Sequence, residues 1–225
     1  PDIGLDFATV LRSILRQDPN IILIGEIRDS ETAKIAVRAS ITGHLVLSTI
    51  HTNNSLSTIE RLLDMDVERY LLSSALEGII SQKLARRLCP HCRKLRPTTP
   101  FEKEIFKKTL NKDVAEIWEA GKCDECMSGY LGRIAIQEVL LIDEELRDII
   151  GNENTRKEEI REIVYGRNQT VTLLQDGLDK VLKGYTTFEE IYKLVEMEDD
   201  LDSEIAEANG NFDETDEEKE IEING

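Results

Sequence analysis

The sequence predicts an α/β fold built on a short parallel sheet, and three observations carry that expectation. Across residues 1–88, helical periodicity alternates with brief apolar runs, the connections are short, and several helices open on capping residues. Hydrophobic residues make up 40% of the 225 and charged residues 32%, a globular balance. No apolar run approaches the ~18 residues that a membrane span requires.

The elements follow in order. Phe7, Val10, Leu11, Ile14 and Leu15 fall on one helix face, with Asp6 as N-cap. Asp18-Pro19 ends that helix, because the residue before proline resists the α region. Ile21–Ile24 lacks alternation and reads as a strand covered on both faces. Ser30 caps a helix through Ile35, Ala36 and Ala39, Thr42-Gly43 stops it, and Leu45–Ile50 forms a second buried strand. Ser57 with Glu60 matches a capping box ahead of Ile59, Leu62 and Leu63. Leu72, Ala75, Leu76, Ile79, Ile80 and Leu84 predict one long helix from about Glu68 to Leu88. This alternation implies right-handed crossovers in a parallel sheet. Further on, Arg133–Leu141 is a third strand candidate, and Thr155 with Glu158 and Thr187 with Glu190 match capping boxes. Gly184 suits the left-handed position after a helix.

Composition divides the chain into four stretches: 1–88 with α/β patterning, 89–130 with all four cysteines, 131–195 with a strand and short helices, and 196–225. The last holds fourteen acidic residues against Lys219 alone, so it carries most of the formal charge of -17. It has too few apolar residues to offset chain entropy and is expected to be disordered. The acidic balance argues against a nucleic-acid partner. A start at Pro1, without a signal-like segment, predicts a piece of a longer protein.

Two patterns carry chemistry. Cys89-Pro-His-Cys92 and Cys123-Asp-Glu-Cys126 are matched pairs separated by 30 residues, the arrangement of a closed, structural four-thiolate zinc site. Two disulfides would suit a secreted protein instead. His91 is a bystander, since four sulfurs fill the shell. The second pattern is Ile21–Ile24 followed by Gly25-Glu26. A strand ending in a carboxylate is how nucleotide-hydrolysing sheets address magnesium and its waters, although a core strand meeting solvent reads the same way. His51 follows the next strand's carboxyl end and is placed to face Glu26. His44 sits at the opposite end, where a fold-stabilising role is the more natural expectation.

These residues together resemble a known family. The run from Ile3 through Asp29, Glu31-Thr32-Ala33, Thr42 through Asn53 and Arg61 through Met65 is similar to the type II secretion and type IV pilus assembly ATPases. Leu88 through Cys92, Gly121 through Cys126 and Gly129 through Arg133 resemble that family's tetracysteine segment and following strand. Asp176-Gly177 with Lys180, and Gly184 to Glu190, resemble its C-terminal signature. The resemblance covers about residues 3–197. It implies the C-terminal part of a RecA-like P-loop ATPase domain within a cytoplasmic homo-hexamer, peripherally associated with the inner membrane through platform proteins. Glu26, with Gly25 beside it, would serve as the Walker B carboxylate toward ATP and Mg2+. His44 and His51 would be the two histidines of the His box, and Cys89, Cys92, Cys123 and Cys126 would hold Zn2+. The cysteines favour assembly or secretion over retraction.

Two features depart from the family. Asn20 stands where it usually has Asp, and no G-x-x-x-x-G-K-[ST] phosphate loop occurs in the 225 residues. In the family that loop lies upstream of the equivalent of Pro1, so the chain alone is expected to be inactive. The competing expectation from another class is a non-catalytic, zinc-binding interaction module.

Overall fold

A computed structural model describes residues 6–126, 128–166 and 170–196. Strand β1 (Ile21–Ile24) pairs in parallel with β2 (Leu45–Ser48), Ile21 opposite Leu45 and Ile24 opposite Ser48. Helices α1 (Phe7–Leu15) and α2 (Ser30–Ile41) cover one face, burying Leu11, Ile22, Ile24, Ala36 and Ala39 together. The α/β expectation therefore holds, with the predicted parallel pair at its start.

Caps decide where these helices begin. Asp6 accepts the Thr9 amide as predicted. Helix α2 is capped by Asp29 rather than Ser30, its carboxylate taking both the amide and the hydroxyl of Thr32 at 2.8 and 2.9 Å. Helix α3 (Ser55–Asp64) is capped by Asn54, not by the Ser57–Glu60 box, with Asn54 Oδ1 accepting the Ser57 amide at 2.7 Å. In both cases a strong Asx cap stands earlier in the chain and starts the helix first.

Three packing expectations need correction. Residues 68–88 are not one helix. Helix α4 (Arg69–Ala75) stops, and β3 (Gly78–Leu88) runs on as an eleven-residue strand antiparallel to β6 (Tyr130–Leu141). Gly78 weakens a helix, and a Cβ there would lie 3.3 Å from the Leu140 carbonyl. Beyond it, β-branched Ile79 and Ile80 face opposite ways, one buried and one exposed, a period of two. Second, β1 and β2 are both covered on one face only, and β2, expected to be buried over Leu45–Ile50, ends at Ser48 with Leu45 and Leu47 about half exposed. Ile22 and Ile24 are buried, but Ile21 and Leu23 are 61% and 76% exposed, because α1 and α2 both pack on the other side. Third, α1 buries Ala8 and Leu11, while Phe7, Val10 and Ile14 remain exposed.

The β3–β6 pair organises the rest. At its Gly78 end it joins α3, α4, α6 (Glu144–Gly151) and α7 (Lys157–Gly166) around Ile59, Leu72, Ile150 and Ile160. At its Leu88 end it meets α5 (Pro100–Leu110), α8 (Leu173–Leu182) and α9 (Phe188–Glu196) around Phe106, Ile136, Leu178 and Ile191. Between the cysteine pairs the chain forms β4 (Lys94–Pro97), α5 and β5 (Glu116–Glu119), with β4 and β5 antiparallel. A full capping box, Thr99 with Glu102 and Pro100 at the first turn, starts α5. No described helix is long and apolar enough to cross a membrane. The acidic stretch from 197 on, expected to be disordered, lies outside the described residues.

Candidate functional site

Strands β1 and β2 are parallel and in register, so their carboxyl ends emerge side by side, where ligands of open α/β sheets collect. Two bonds fix the exits: the Thr49 hydroxyl donates to the Gly25 carbonyl at 2.7 Å, and the Ile27 amide donates to the Thr49 carbonyl at 2.9 Å. This alignment brings Glu26 and His51 together, His51 Nε2 lying 3.2 Å from Glu26 Oε2. The other carboxylate oxygen meets the Arg28 guanidinium at 2.6 Å. The Arg28 hydrogen bond, with a smaller contribution from His51, outweighs partial desolvation and holds the Glu26 carboxyl below the usual range. At neutral pH it is an ionised, half-sheltered carboxylate beside an imidazole that is 86% exposed. Gly25 has open space around the position a Cβ would occupy.

His44 does not join this group. It precedes β2, and its Nδ1 lies 3.0 Å from the Ala39 carbonyl and 3.3 Å from the Thr42 hydroxyl, closing the end of α2. The intervening four-residue strand spans about 13 Å. The two histidines named together on the resemblance thus occupy opposite ends of β2.

The cysteines converge fully. Sγ of Cys89 and Cys123 are 3.8 Å apart, those of Cys92 and Cys126 3.4 Å, and those of Cys123 and Cys126 3.5 Å. All four sulfurs lie within 4.8 Å of one another. A tetrahedral zinc with ~2.3 Å bonds sets its sulfurs about 3.8 Å apart, so the donor set fits that ion. All four are free thiols in this arrangement, their sulfurs 3.4–3.8 Å apart in the three closest contacts, well beyond an S–S bond. Burial, then hydrogen bonds with the other sulfurs, pushes the Cys92 thiol up to about 12. At Cys126 burial is outweighed by hydrogen bonds from Cys92, Cys123 and the Gly129 amide, and its value falls to about 7. Four sulfurs this close form a donor set that could hold a metal ion. Gly121 makes the approach possible: a Cβ there would lie 1.9 Å from the Cys92 carbonyl oxygen. His91 pairs with Glu125 at 3.0 Å and stays outside the cluster.

Two contributors escape a reading of sequence alone. Arg28 was visible as part of a motif, but its pairing with Glu26 depends on how the chain leaves β1. Arg93, beside Cys92, stacks over Trp118 at 4.4 Å and donates to the Gly184 carbonyl at 2.5 Å, tying the cysteine knuckle to the end of α8. Gly184, at φ +69°, is the predicted left-handed residue, and a Cβ there would strike Trp118.

A two-stranded parallel α/β unit with a carboxylate at its strand ends, joined to a converging four-thiol cluster, defines the class. Residues 1–193 match the family described as Type II/IV secretion system protein, and the chain belongs to that family. It is 45% identical over 193 residues to the type II secretion system protein E of Aeromonas hydrophila, covering 85% of this chain and 38% of that protein. It is 46% identical over 195 residues to the type IV pilus assembly ATPase PilB of Thermus thermophilus, covering 85% of this chain and 22% of that protein. The chain therefore spans well under half the length of these curated relatives. Among solved structures it is similar to the pilus retraction motor PilT with bound ADP, with a TM-score of 0.58 and 27% identity, over 84% of this chain and 43% of that one. The Legionella pneumophila ATPase DotB shares the fold, with a TM-score of 0.61 at 24% identity over 86% of this chain and 43% of that one.

Proposed function

We propose that this chain is the C-terminal portion of an ATPase that powers type II secretion or type IV pilus assembly. The observation that carries the reading is the Glu26–His51 pair at the carboxyl end of a parallel sheet, in a chain whose family includes named ATPases. Glu26, kept ionised by Arg28, would hold Mg2+ and its waters; Mg2+ neutralises charge on the phosphates when ATP is bound. His51 would sense the charge of the terminal phosphate from the same crevice. His44 supports the strand from its other end and takes no part in the chemistry. The four cysteines would hold one structural zinc, with no open position for substrate.

The working assembly would be a cytoplasmic homo-hexamer of a RecA-like domain, engaging membrane-platform proteins and no nucleic acid. Since no phosphate loop occurs in these 225 residues, the chain alone should hydrolyse ATP negligibly. In a protein that carries the loop, Glu26→Gln should lower turnover by about 100-fold while leaving nucleotide binding largely intact. Unchanged turnover in that variant would reduce Glu26 to a strand terminus.

A further inference from the structure

Glu138, on β6, is a carboxylate only 2% exposed, and it forms no ion pair among the described residues. Burying such a group is unfavourable unless it is met by donors. Its Oε1 accepts the Ser55 amide at 2.8 Å, the first residue of α3, where the helix dipole also favours negative charge. Directly across the ladder from Glu138 stands Ser81 of β3, whose hydroxyl donates to the Asn53 carbonyl at 3.1 Å. One cross-strand pair therefore grips the chain at Asn53 and again at Ser55.

The gripped segment is the loop from β2 to α3, with His51 at its middle. Its other end is fixed by Thr49 on the Gly25 carbonyl, and Thr52 meets the Thr58 hydroxyl at 2.7 Å. His51 itself is largely exposed, so packing alone does not hold it against Glu26. We infer that Glu138 and Ser81 are positioning residues for His51, setting the loop that carries its imidazole to Glu26. The same strands run on to Leu88 and Tyr130, next to the cysteine knuckle, so the loop is anchored on the longest ladder among the described residues. The consequence for hydrolysis rests on the function proposed above, whereas the coupling itself is a property of this chain.

The test uses NMR on the zinc-loaded 225-residue chain without nucleotide, so it stands or falls separately from ATPase activity. Glu26→Gln first marks the His51 ring resonances that depend on the pair. Glu138→Leu should raise Ser55 amide exchange by about 2- to 10-fold, the loss expected for one hydrogen bond. It should also move the His51 ring resonances toward their Glu26→Gln positions. Glu138→Gln keeps an acceptor and should restore them. Ser81→Ala should shift His51 while leaving Ser55 protected, and it carries the test if Glu138→Leu does not fold. His51 resonances unmoved in Ser81→Ala, or in a folded Glu138→Leu whose Ser55 amide has become labile, would reduce the pair to a helix cap and overturn the inference.

Discussion

The two ends of the β3–β6 ladder differ in how completely they are enclosed. At the Leu88 end, Leu88, Cys89, Phe106, Ile136 and Leu178 are at most 2% exposed, and three helices close over the strands. At the Gly78 end one face is equally enclosed, around Ile59, Leu72, Ile150 and Ile160, but the other leaves Ile80 and Leu141 69% and 75% exposed. The neighbouring β1–β2 sheet likewise turns Ile21, Leu23, Leu45 and Leu47 outward, a contiguous apolar face. A cleft of about 400 Å3 lies between the two sheets, lined by Val46, Ser48 and Ile50 on one side and Gly78, Ile80 and Gln82 on the other. The four-cysteine donor set is thus brought together within these residues, whereas Glu26 and His51 lie outside the lining of that cleft. The comparison separates a donor set whose members converge inside the chain from a carboxylate–imidazole pair that stays open to solvent.

The largest effects should fall at the enclosed end. Cys92→Ala should abolish zinc binding, and because folding of small metal lobes is coupled to ~10–16 kcal/mol of apparent zinc binding energy, residues 89–130 should lose structure. The loss should spread to α8 and α9, since Arg93 bonds the Gly184 carbonyl and the Leu88 amide donates to the Tyr185 carbonyl at 2.8 Å. Trp118, the single tryptophan, lies under Arg93 and reports the change by fluorescence, while elemental analysis counts the zinc. Amide exchange at β1 and β2 should change little. Equal loosening of both ends on chelation would erase the distinction between them.

Next comes the ion pair that locks α5 to β4. Arg96 meets Glu102 at 2.6 and 2.8 Å and also holds Glu189 at 2.6 Å. Burial pushes the Glu102 carboxyl up, but the Arg96 hydrogen bonds and the Thr99 amide together hold it below its ordinary value. Arg96→Ala leaves that carboxylate buried without its cation and should cost about 3–5 kcal/mol. A depressed folded pKa gives stability that is present above the unfolded value of about 4.3 and is lost as pH falls through the folded one. Acid unfolding of the wild type should therefore steepen below about pH 4.3, and the Arg96→Ala curve should be flatter there.

How much was legible follows the same division. The cysteine centre was readable because four ligands at fixed spacing define a point regardless of what lies between them. The intervening β4–α5–β5 went unread, although Thr99-Pro100 with Glu102 announced the helix. Glu26 and His51 were placed at one crevice from strand polarity alone, and His44 at the other end. Residues 68–88 misled because Leu72, Leu76, Ile80 and Leu84 fit a four-residue repeat and also, from Ile80, a two-residue one. Only long-range pairing with β6 chooses between them, and that partner begins more than forty residues later. The bonds from Glu138 to Ser55 and from Ser81 to Asn53 were invisible for the same reason, being set by tertiary register.

The smallest expected effect sharpens the contrast between the two faces of β1. Ile22 and Leu23 are adjacent, chemically alike and paired to the same neighbour strand, yet Ile22 is 3% exposed and Leu23 76%. Truncating Ile22 removes methyl groups packed against Leu11 and Ala36 and leaves a cavity, so Ile22→Ala should lower unfolding free energy by about 2–5 kcal/mol. Leu23→Ser removes a side chain already in water and should stay within about 0.5 kcal/mol. It also interrupts the apolar face formed with Ile21, Leu45 and Leu47, so self-association measured by sedimentation should fall rather than rise. Urea unfolding of the two single variants reads the difference directly. If Leu23→Ser proved as damaging as Ile22→Ala, the outward face would be packed in solution, and the crevice end would be as enclosed as the cysteine end.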